Sequence, residues 1–469
     1  MGISSNDAIM DKKDPFRPGY HLSVPEGWMN DPNGLIYYKG KYHVFYQHNP
    51  YAPVWGPMHW GHATSSDLIN WTQEAIALKP DKEYEIHPAL GGCFSGSAVE
   101  SAGKMILMYT GCVQDRDPFQ CQALAVSEDG YTFEKYSGNP VIAAPPIDCT
   151  KEFRDPKVWE KDGMFYCVIG SQSKDKGRVL LYRSRDLYQW EYLGVVAESN
   201  GKMGDMWECP DLCTLDKHDV LIYSPINAEE GDTRYLSGNL DYNTGKLSVI
   251  QDEMLDRGSN FYAPQTLVDK NDRRILFGWM RCWEEHMPSE PYGWAGQLTI
   301  PRRLWTDDSG VLHQEPVEEL KTLRKNRTNY ELSAVQEMKL GTVESNRYEI
   351  ILSTSGEEVN DLRLYVRCSE DRKEQTVIHI DTKNRKVTLD RSHSGEGEKG
   401  IYSASIESEA DGSYRFHIFI DNNTLELFTS QYTVAMSFYL WPDVSSTGIY
   451  FESNSGLACK IAADLWELG

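Results

Sequence analysis

Short runs of Val, Ile, Leu, Met, Tyr and Phe recur along this chain, each closed by a turn rich in Gly, Asp, Asn or Lys. Residues 35–38 form such a run, Lys39-Gly40-Lys41 turns the chain, and residues 42–47 return as a second run. That pattern predicts a β-hairpin. The same figure comes back at 97–100 and 105–109, at 157–159 and 164–169, at 211–215 and 219–223, and at 265–268 and 275–279. Further out, Ser65-Ser66-Asp67, Ser127-Glu128-Asp129 and Ser184-Arg185-Asp186 each follow a third strand-like run and lead to an aromatic, Trp71, Phe133 or Trp190. The repeat length, about 50 to 60 residues, is that of a propeller blade of four strands. A five-bladed β-propeller over residues 20–312 is therefore expected.

The texture changes after Leu312. Residues 313–328 read as a linker, and Val317, Leu320 and Leu323 stand at helical spacing within it. Beyond it come short strand patterns at 348–352, 361–366, 376–380, 386–389, 414–420, 425–429 and 448–452. Strands at this spacing without helices predict a C-terminal β-sandwich over residues 329–469, making the whole chain all-β.

Composition narrows the partners. The net charge is -23 over 469 residues, a field that repels phosphate backbones and anionic lipid, so neither nucleic acid nor membrane is expected. Residues 1–13 have no basic region followed by an apolar run, and no stretch is apolar enough to span a bilayer, so the expected location is cytoplasmic. The 10 cysteines are scattered. Cys209 and Cys213 stand four apart with no second close pair, so neither a disulfide framework nor a zinc site is expected. Strand edges in the sandwich leave a homo-oligomer open.

Candidate chemistry lies just before the first strands. Trp28-Met29-Asn30-Asp31-Pro32-Asn33-Gly34 puts a carboxylate on a sharp bend. Asp155 in Phe153-Arg154-Asp155-Pro156 and Glu208 in Trp207-Glu208-Cys209-Pro210-Asp211 occupy the corresponding place in two other repeats. In a propeller these strands line the central channel, so the three acids should meet at one mouth. Converging carboxylates raise one another's pKa, a cost that a glycosidase uses to keep one ionised and another protonated. Arg154 is expected to hold Asp155 ionised, with Glu208 in a less polar setting. Turn acids bonded only to backbone N–H groups are the plainer reading.

These residues, with Phe45-Tyr46-Gln47-His48-Asn49-Pro50, His59-Trp60-Gly61-His62, Phe94-Ser95-Gly96-Ser97, Phe261-Tyr262-Ala263-Pro264-Gln265 and Gly293-Trp294-Ala295-Gly296, resemble glycoside hydrolase family 32, the β-fructofuranosidases. The resemblance runs through the C-terminal region, where Phe419-Ile420-Asp421-Asn422 leads into Leu425-Glu426-Leu427-Phe428. It implies hydrolysis of terminal β-D-fructofuranosides such as sucrose, sucrose 6-phosphate or short fructo-oligosaccharides, with retention and with no cofactor or metal. By the same resemblance Asp31 is the nucleophile, Glu208 the acid/base and Asp155 the transition-state stabiliser. Trp28, Met29, Asn30, Gln47, Trp55, Phe94, Ser95, Arg154, Trp279 and Trp294 are the expected sugar contacts. Many relatives carry Asp where Asn260 stands, which marks Asn260 as a candidate for substrate preference. An inverting arabinanase-like enzyme and a non-catalytic carbohydrate-binding propeller are the alternatives.

Overall fold

The computed structural model describes residues 14–87, 90–229, 231–283, 286–333, 337–342, 345–354, 361–453 and 460–469. The N-terminal stretch 1–13, read above for a leader, lies outside the described residues. Strands dominate. Among the described residues the helical segments are three short 3-10 turns, and no helix is long and apolar enough to cross a membrane.

All five predicted hairpins are present, and each opens a sheet of four antiparallel strands. The first sheet comprises Gly27–Tyr38, Lys41–Asn49, His59–Ser65 and Thr72–Gln73, with Trp294–Ala295 added in parallel beside the first strand. The second runs Gly91–Ser101, Lys104–Val113, Gln120–Ser127 and Glu134–Lys135; the third Phe153–Lys161, Met164–Ser173, Lys176–Ser184 and Trp190–Glu198. The fourth is Met203–Leu215, His218–Ala228, Arg234–Asp241 and Lys246–Met254, and the fifth Tyr262–Val268, Arg274–Trp279, Arg302–Thr306 and Leu312–Pro316.

Local chemistry explains the turns. Lys39-Gly40 and Asp162-Gly163 are left-handed at both positions, the conformation whose twist matches a two-residue hairpin. In the Ser-x-Asp turns the carboxylate takes two consecutive N–H groups: Asp129 accepts from Tyr131 and Thr132, both at 2.8 Å, and Asp186 from Tyr188 and Gln189, both at 2.9 Å.

Each neighbouring pair of these sheets shares a hydrophobic cluster. Tyr38, Phe45 and Trp60 of the first pack on Met105, Leu107 and Tyr109 of the second, and the series continues round until the fifth sheet packs on the first. The innermost strands touch in the same order, and that of the fifth sheet touches that of the first. Burying a Leu, Ile or Phe fully contributes roughly 1.5–3 kcal/mol, so these seams dominate the stability of the region.

Two six-stranded sheets make up the C-terminal region. The sixth sheet orders Arg324–Ser333, Lys460–Leu468, Tyr348–Thr354, Tyr414–Asp421, Thr424–Phe428 and Ala435–Tyr439; the seventh orders Met338–Thr342, Gly448–Ser453, Leu362–Cys368, Gln375–Asp381, Lys386–His393 and Ile401–Ser405. Ile350, Leu352 and Ile418 of one meet Leu364, Ile378 and Leu389 of the other in one core. The stretch 313–328 is more ordered than its charge suggested. Residues 312–316 pair with Arg302–Thr306, residues 324–333 pair with Lys460–Leu468, and only Glu318–Leu323 is helical, as a 3-10 turn with Leu320 buried. An available strand edge outweighs helical spacing over so short a run.

The two regions meet on a buried ionic network. Arg302 reaches Asp256 at 3.0 Å and Glu426 at 2.6 Å, while His21 lies 2.8 Å from Asp421 and 3.0 Å from Glu426. Burial opposes the charge on His21, but its two carboxylates prevail and raise its pKa to about 9. Its stabilising contribution is therefore complete below pH 6.5 and is lost as pH rises through about 9.

A second histidine pair has the opposite sign. His43 Nδ1 lies 3.0 Å from His62 Nε2 in the buried seam between the first and second sheets. Burial lowers these pKa values to about 4 and about 3. Both rings stay neutral in the fold and become charged on unfolding, so stability should fall as pH drops from 6.5 towards 4. The urea midpoint of the wild type should decline over that range, and that of His62→Gln should decline less steeply. Equal slopes would clear the pair of this role.

Candidate active site

The innermost strand of every four-stranded sheet breaks register at the same place. Its pairing skips between Met29 and Pro32, Phe94 and Gly96, Arg154 and Lys157, Glu208 and Asp211, and Tyr262 and Gln265. Pro156, Pro210 and Pro264 fall within three of the breaks and Pro32 borders a fourth, because proline has no N–H to give the ladder. Asp155, Cys209 and Ala263, the residues just before three of these prolines, adopt φ of 65°, 46° and 49°. Such left-handed backbone costs about 1–3 kcal/mol per residue and is held only where the surroundings impose it.

These bulges arrange the side chains in two tiers. Asn30, Phe94, Arg154, Glu208 and Tyr262 form one, and Asp31, Ser95, Asp155 and Cys209 form the next. A single phase for all three acids is the expectation from their place before the first strands. Asp31 and Asp155 do share it, but Glu208 stands one residue earlier, in the tier of Arg154. All three acids nevertheless line one cavity of about 140 Å³ with Asn30, Gln47, Trp55, Met58, Phe94, Ser95, Arg154, Tyr262 and Trp283.

The tiers decide who bonds to whom. Arg154 was expected on Asp155, yet its Nε and Nη2 donate to Glu208 Oε1 at 2.9 and 2.8 Å, and Nη1 pairs with Glu152. Arg154 and Glu208 face each other across neighbouring sheets because they share a tier. The Tyr262 hydroxyl donates to Glu208 Oε2 at 2.7 Å, so Glu208 sits among polar partners and not in the less polar setting expected. Asp31 accepts from Ser95 Oγ at 2.6 Å, Asn30 Nδ2 at 3.1 Å and Cys209 Sγ at 3.3 Å. Asp155 accepts the Cys209 N–H at 2.9 Å, and the same thiol lies 3.5 Å away.

Electrostatics follow from this packing. Burial raises the pKa of Asp31; the Ser95 and Asn30 hydrogen bonds oppose the rise, and the charge of Glu208 adds to it. Burial also lifts Asp155 to about 7, against the pull of Arg154 and helped by Glu208 and Asp31. Burial keeps the Cys209 thiol protonated, so it serves the two aspartates as a donor. One guanidinium, already shared with Glu152, thus faces three carboxylates, and the cluster retains a proton near neutrality.

Nine of the thirteen expected site residues line the cavity. Trp28 supports it from behind, donating Nε1–H to Asn30 Oδ1 at 2.8 Å. Met29, Trp279 and Trp294 are fully buried and outside the lining, Trp279 with its ring edge-on to Trp28 and Trp294 bonded to Asp14 at 2.7 Å. Asn260 also lies outside the lining: its Oδ1 accepts the Tyr439 N–H of the sixth sheet at 3.0 Å and Arg391 Nη1 of the seventh at 3.0 Å.

Three lining residues were not anticipated. Tyr262 was legible, since Tyr262-Ala263-Pro264 aligns with Arg154-Asp155-Pro156 and Glu208-Cys209-Pro210. Met58 and Trp283 come from connections outside the repeat, which carries no signal for them. Trp283 is 43% exposed and leans on Trp55 and Trp28, with ring centroids 6.4 and 5.6 Å away. It forms an aromatic rim suited to a sugar face.

Family comparison assigns this architecture. The description "Glycosyl hydrolases family 32 N-terminal domain" matches residues 21–316, and "Glycosyl hydrolases family 32 C terminal" matches residues 319–467. The chain belongs to glycosyl hydrolase family 32. Within that family it is 36% identical to an Escherichia coli sucrose-6-phosphate hydrolase over 97% of this chain and 95% of that protein. It is 35% identical to an E. coli raffinose invertase over 96% and 95% of the two. Among solved structures, a Bombyx mori GH32 beta-fructofuranosidase in complex with sucrose superposes with a TM-score of 0.85 at 36% identity, covering 98% of this chain and 96% of that one. A Lactobacillus gasseri sucrose-6-phosphate hydrolase gives 0.87 at 27% identity, covering 97% and 94%.

Proposed function

We propose that this family 32 chain is a retaining β-fructofuranosidase, releasing terminal β-D-fructofuranosyl units from sucrose, sucrose 6-phosphate or short fructo-oligosaccharides through a fructosyl-enzyme. The catalytic part is a five-bladed propeller over residues 20–312, joined through 313–328 to a β-sandwich over 329–469. The observation that carries the reading is the meeting of Asp31, Asp155 and Glu208, from three different sheets, around one small cavity.

Asp31, oriented by Ser95 and Asn30, attacks the anomeric carbon of the fructosyl unit. Glu208 gives a proton to the departing oxygen and then, as base, takes one from the water that cleaves the ester. Asp155 accepts hydrogen bonds from fructose hydroxyls as positive charge develops on the ring. In a substrate complex the carboxyl groups of Asp31 and Glu208 should lie roughly 5 to 5.5 Å apart, with no room for an attacking water between them.

The cluster dictates a pH profile. kcat/KM should fall as acid protonates Asp31, at a pH above the usual carboxylate range, and fall again through about 7 as the last cluster proton leaves. These midpoints belong to the cluster as a whole. A rate that stays flat from pH 5 to 9 would contradict the shared proton.

The deciding experiment is NMR of sucrose hydrolysis in its first minutes. Retention delivers β-fructofuranose before mutarotation. Initial α-fructofuranose would indicate an inverting, arabinanase-like mechanism, and no turnover a binding protein. Catalytic efficiencies on sucrose, sucrose 6-phosphate and kestose then rank the substrates.

A further inference from the structure

A second cavity, of about 380 Å³, opens where the fifth sheet, the Glu318–Leu323 turn and the sixth sheet meet, and it shares no residue with the cavity at Asp31. Its volume falls in the range of small-molecule sites. In a chain of net charge -23 its wall is unusual, because five cations, Arg273, Arg303, Lys321, Arg324 and Arg415, outnumber the three carboxylates that line it.

Two of these cations are satisfied by the protein. Arg324 grips Glu349 through two bonds of 2.7 and 2.5 Å, and Arg273 reaches Asp269 at 2.7 Å and Glu319 at 2.5 Å. Arg303 makes a loose ion pair, 3.8 Å to Glu315 with both ends solvated, and its guanidinium lies 5.3 Å from the Trp305 ring. Arg415 and Lys321 make no ion pair among the described residues; the Arg415 guanidinium lies 5.9 Å from the Tyr432 ring. Arg303, Lys321 and Arg415 thus share one loosely held carboxylate, and a bound anion relieves their mutual repulsion.

The backbone supplies an independent observation. Gln431 and Tyr432 are consecutive non-glycine residues at φ 56° and 58°, and this strained turn carries the Tyr432 ring in the cavity wall. It is clamped from both sides: His313 Nδ1 lies 2.6 Å from the Gln431 carbonyl oxygen, and Glu409 accepts the Gln431 N–H at 3.1 Å. A turn held in this way fixes the Tyr432 ring in the wall.

We propose that this junction cavity binds a small phosphomonoester with a sugar-like body. The phosphate sits between Arg415, Lys321 and Arg303, where guanidinium forks suit its oxygens. The polyol or ring body lies against Tyr432. The site is separate from the catalytic one, and it joins the two regions of the chain because its wall comes from both.

Calorimetry on the full chain at fixed ionic strength tests it with glucose 6-phosphate, glucose and inorganic phosphate as probes. Glucose 6-phosphate should bind, inorganic phosphate should bind at least about 10-fold more weakly, and glucose should not bind measurably. The double variant Arg415→Gln/Lys321→Gln should lose at least about 10-fold in affinity for glucose 6-phosphate with its melting temperature and sucrose hydrolysis unchanged, and excess fructose should not displace the ligand. Undiminished binding by the variant, displacement by fructose or no binding at all would overturn the site. Equal affinity for inorganic phosphate would overturn its sugar-phosphate character. The binding readout stands whether or not the protein hydrolyses sucrose.

Discussion

Asp31→Asn should lower kcat on sucrose by about 10⁴-fold or more while leaving the fold intact. The carboxylate has no substitute in reach as a nucleophile. Ser95 and Asn30 are spent in orienting it, and the Cys209 thiol is held protonated by burial and by the neighbouring carboxylates. The amide is nearly isosteric and can keep the Ser95 and Asn30 contacts. Removing the charge also relieves its repulsion with Glu208 and Asp155, so the melting temperature at pH 8 should hold or rise. Steady-state hydrolysis and a thermal melt check both parts. Residual activity within about 10-fold of wild type would place the nucleophile elsewhere.

Glu208→Gln should show a dependence on leaving group that Asp31→Asn does not. With sucrose, whose departing oxygen must be protonated, the loss should be about 10² to 10⁴-fold. An aryl β-fructofuranoside departs as a stabilised anion and needs no proton, so its first step should survive much better and leave a fructosyl-enzyme that hydrolyses slowly. Azide, which needs no base, should restore turnover of that intermediate. The glutamine can still accept from Tyr262, and Arg154 keeps Glu152, so the cavity should hold its shape. Equal losses on sucrose and the aryl fructoside would remove Glu208 as the acid.

The fold was legible because its signals are local. Five hairpins with Gly-containing or Asp-containing turns, and a Ser-x-Asp turn repeated three times, depend on residues close in sequence, and each is found as expected. The strand at 460–468 escaped, since it pairs in the sixth sheet with Arg324–Ser333 and Tyr348–Thr354, both remote in sequence. The segment 313–328 misled for a related reason: its helical spacing was real, but free strand edges on both sides captured its ends.

At the site, the chain itself determined which residues would meet. Asp31 and Asp155 stand directly before prolines and Glu208 one residue earlier in its repeat, so innermost strands that touch in sequence order bring the three together. What the tertiary structure decided was the pairing within that meeting. One residue of offset puts Glu208 in the tier of Arg154 and Asp155 in that of Cys209, so the guanidinium goes to the glutamate and the Cys209 N–H to the buried aspartate. Burial and distance between sheets set those choices. Neither quantity exists until the first and fifth sheets close on each other.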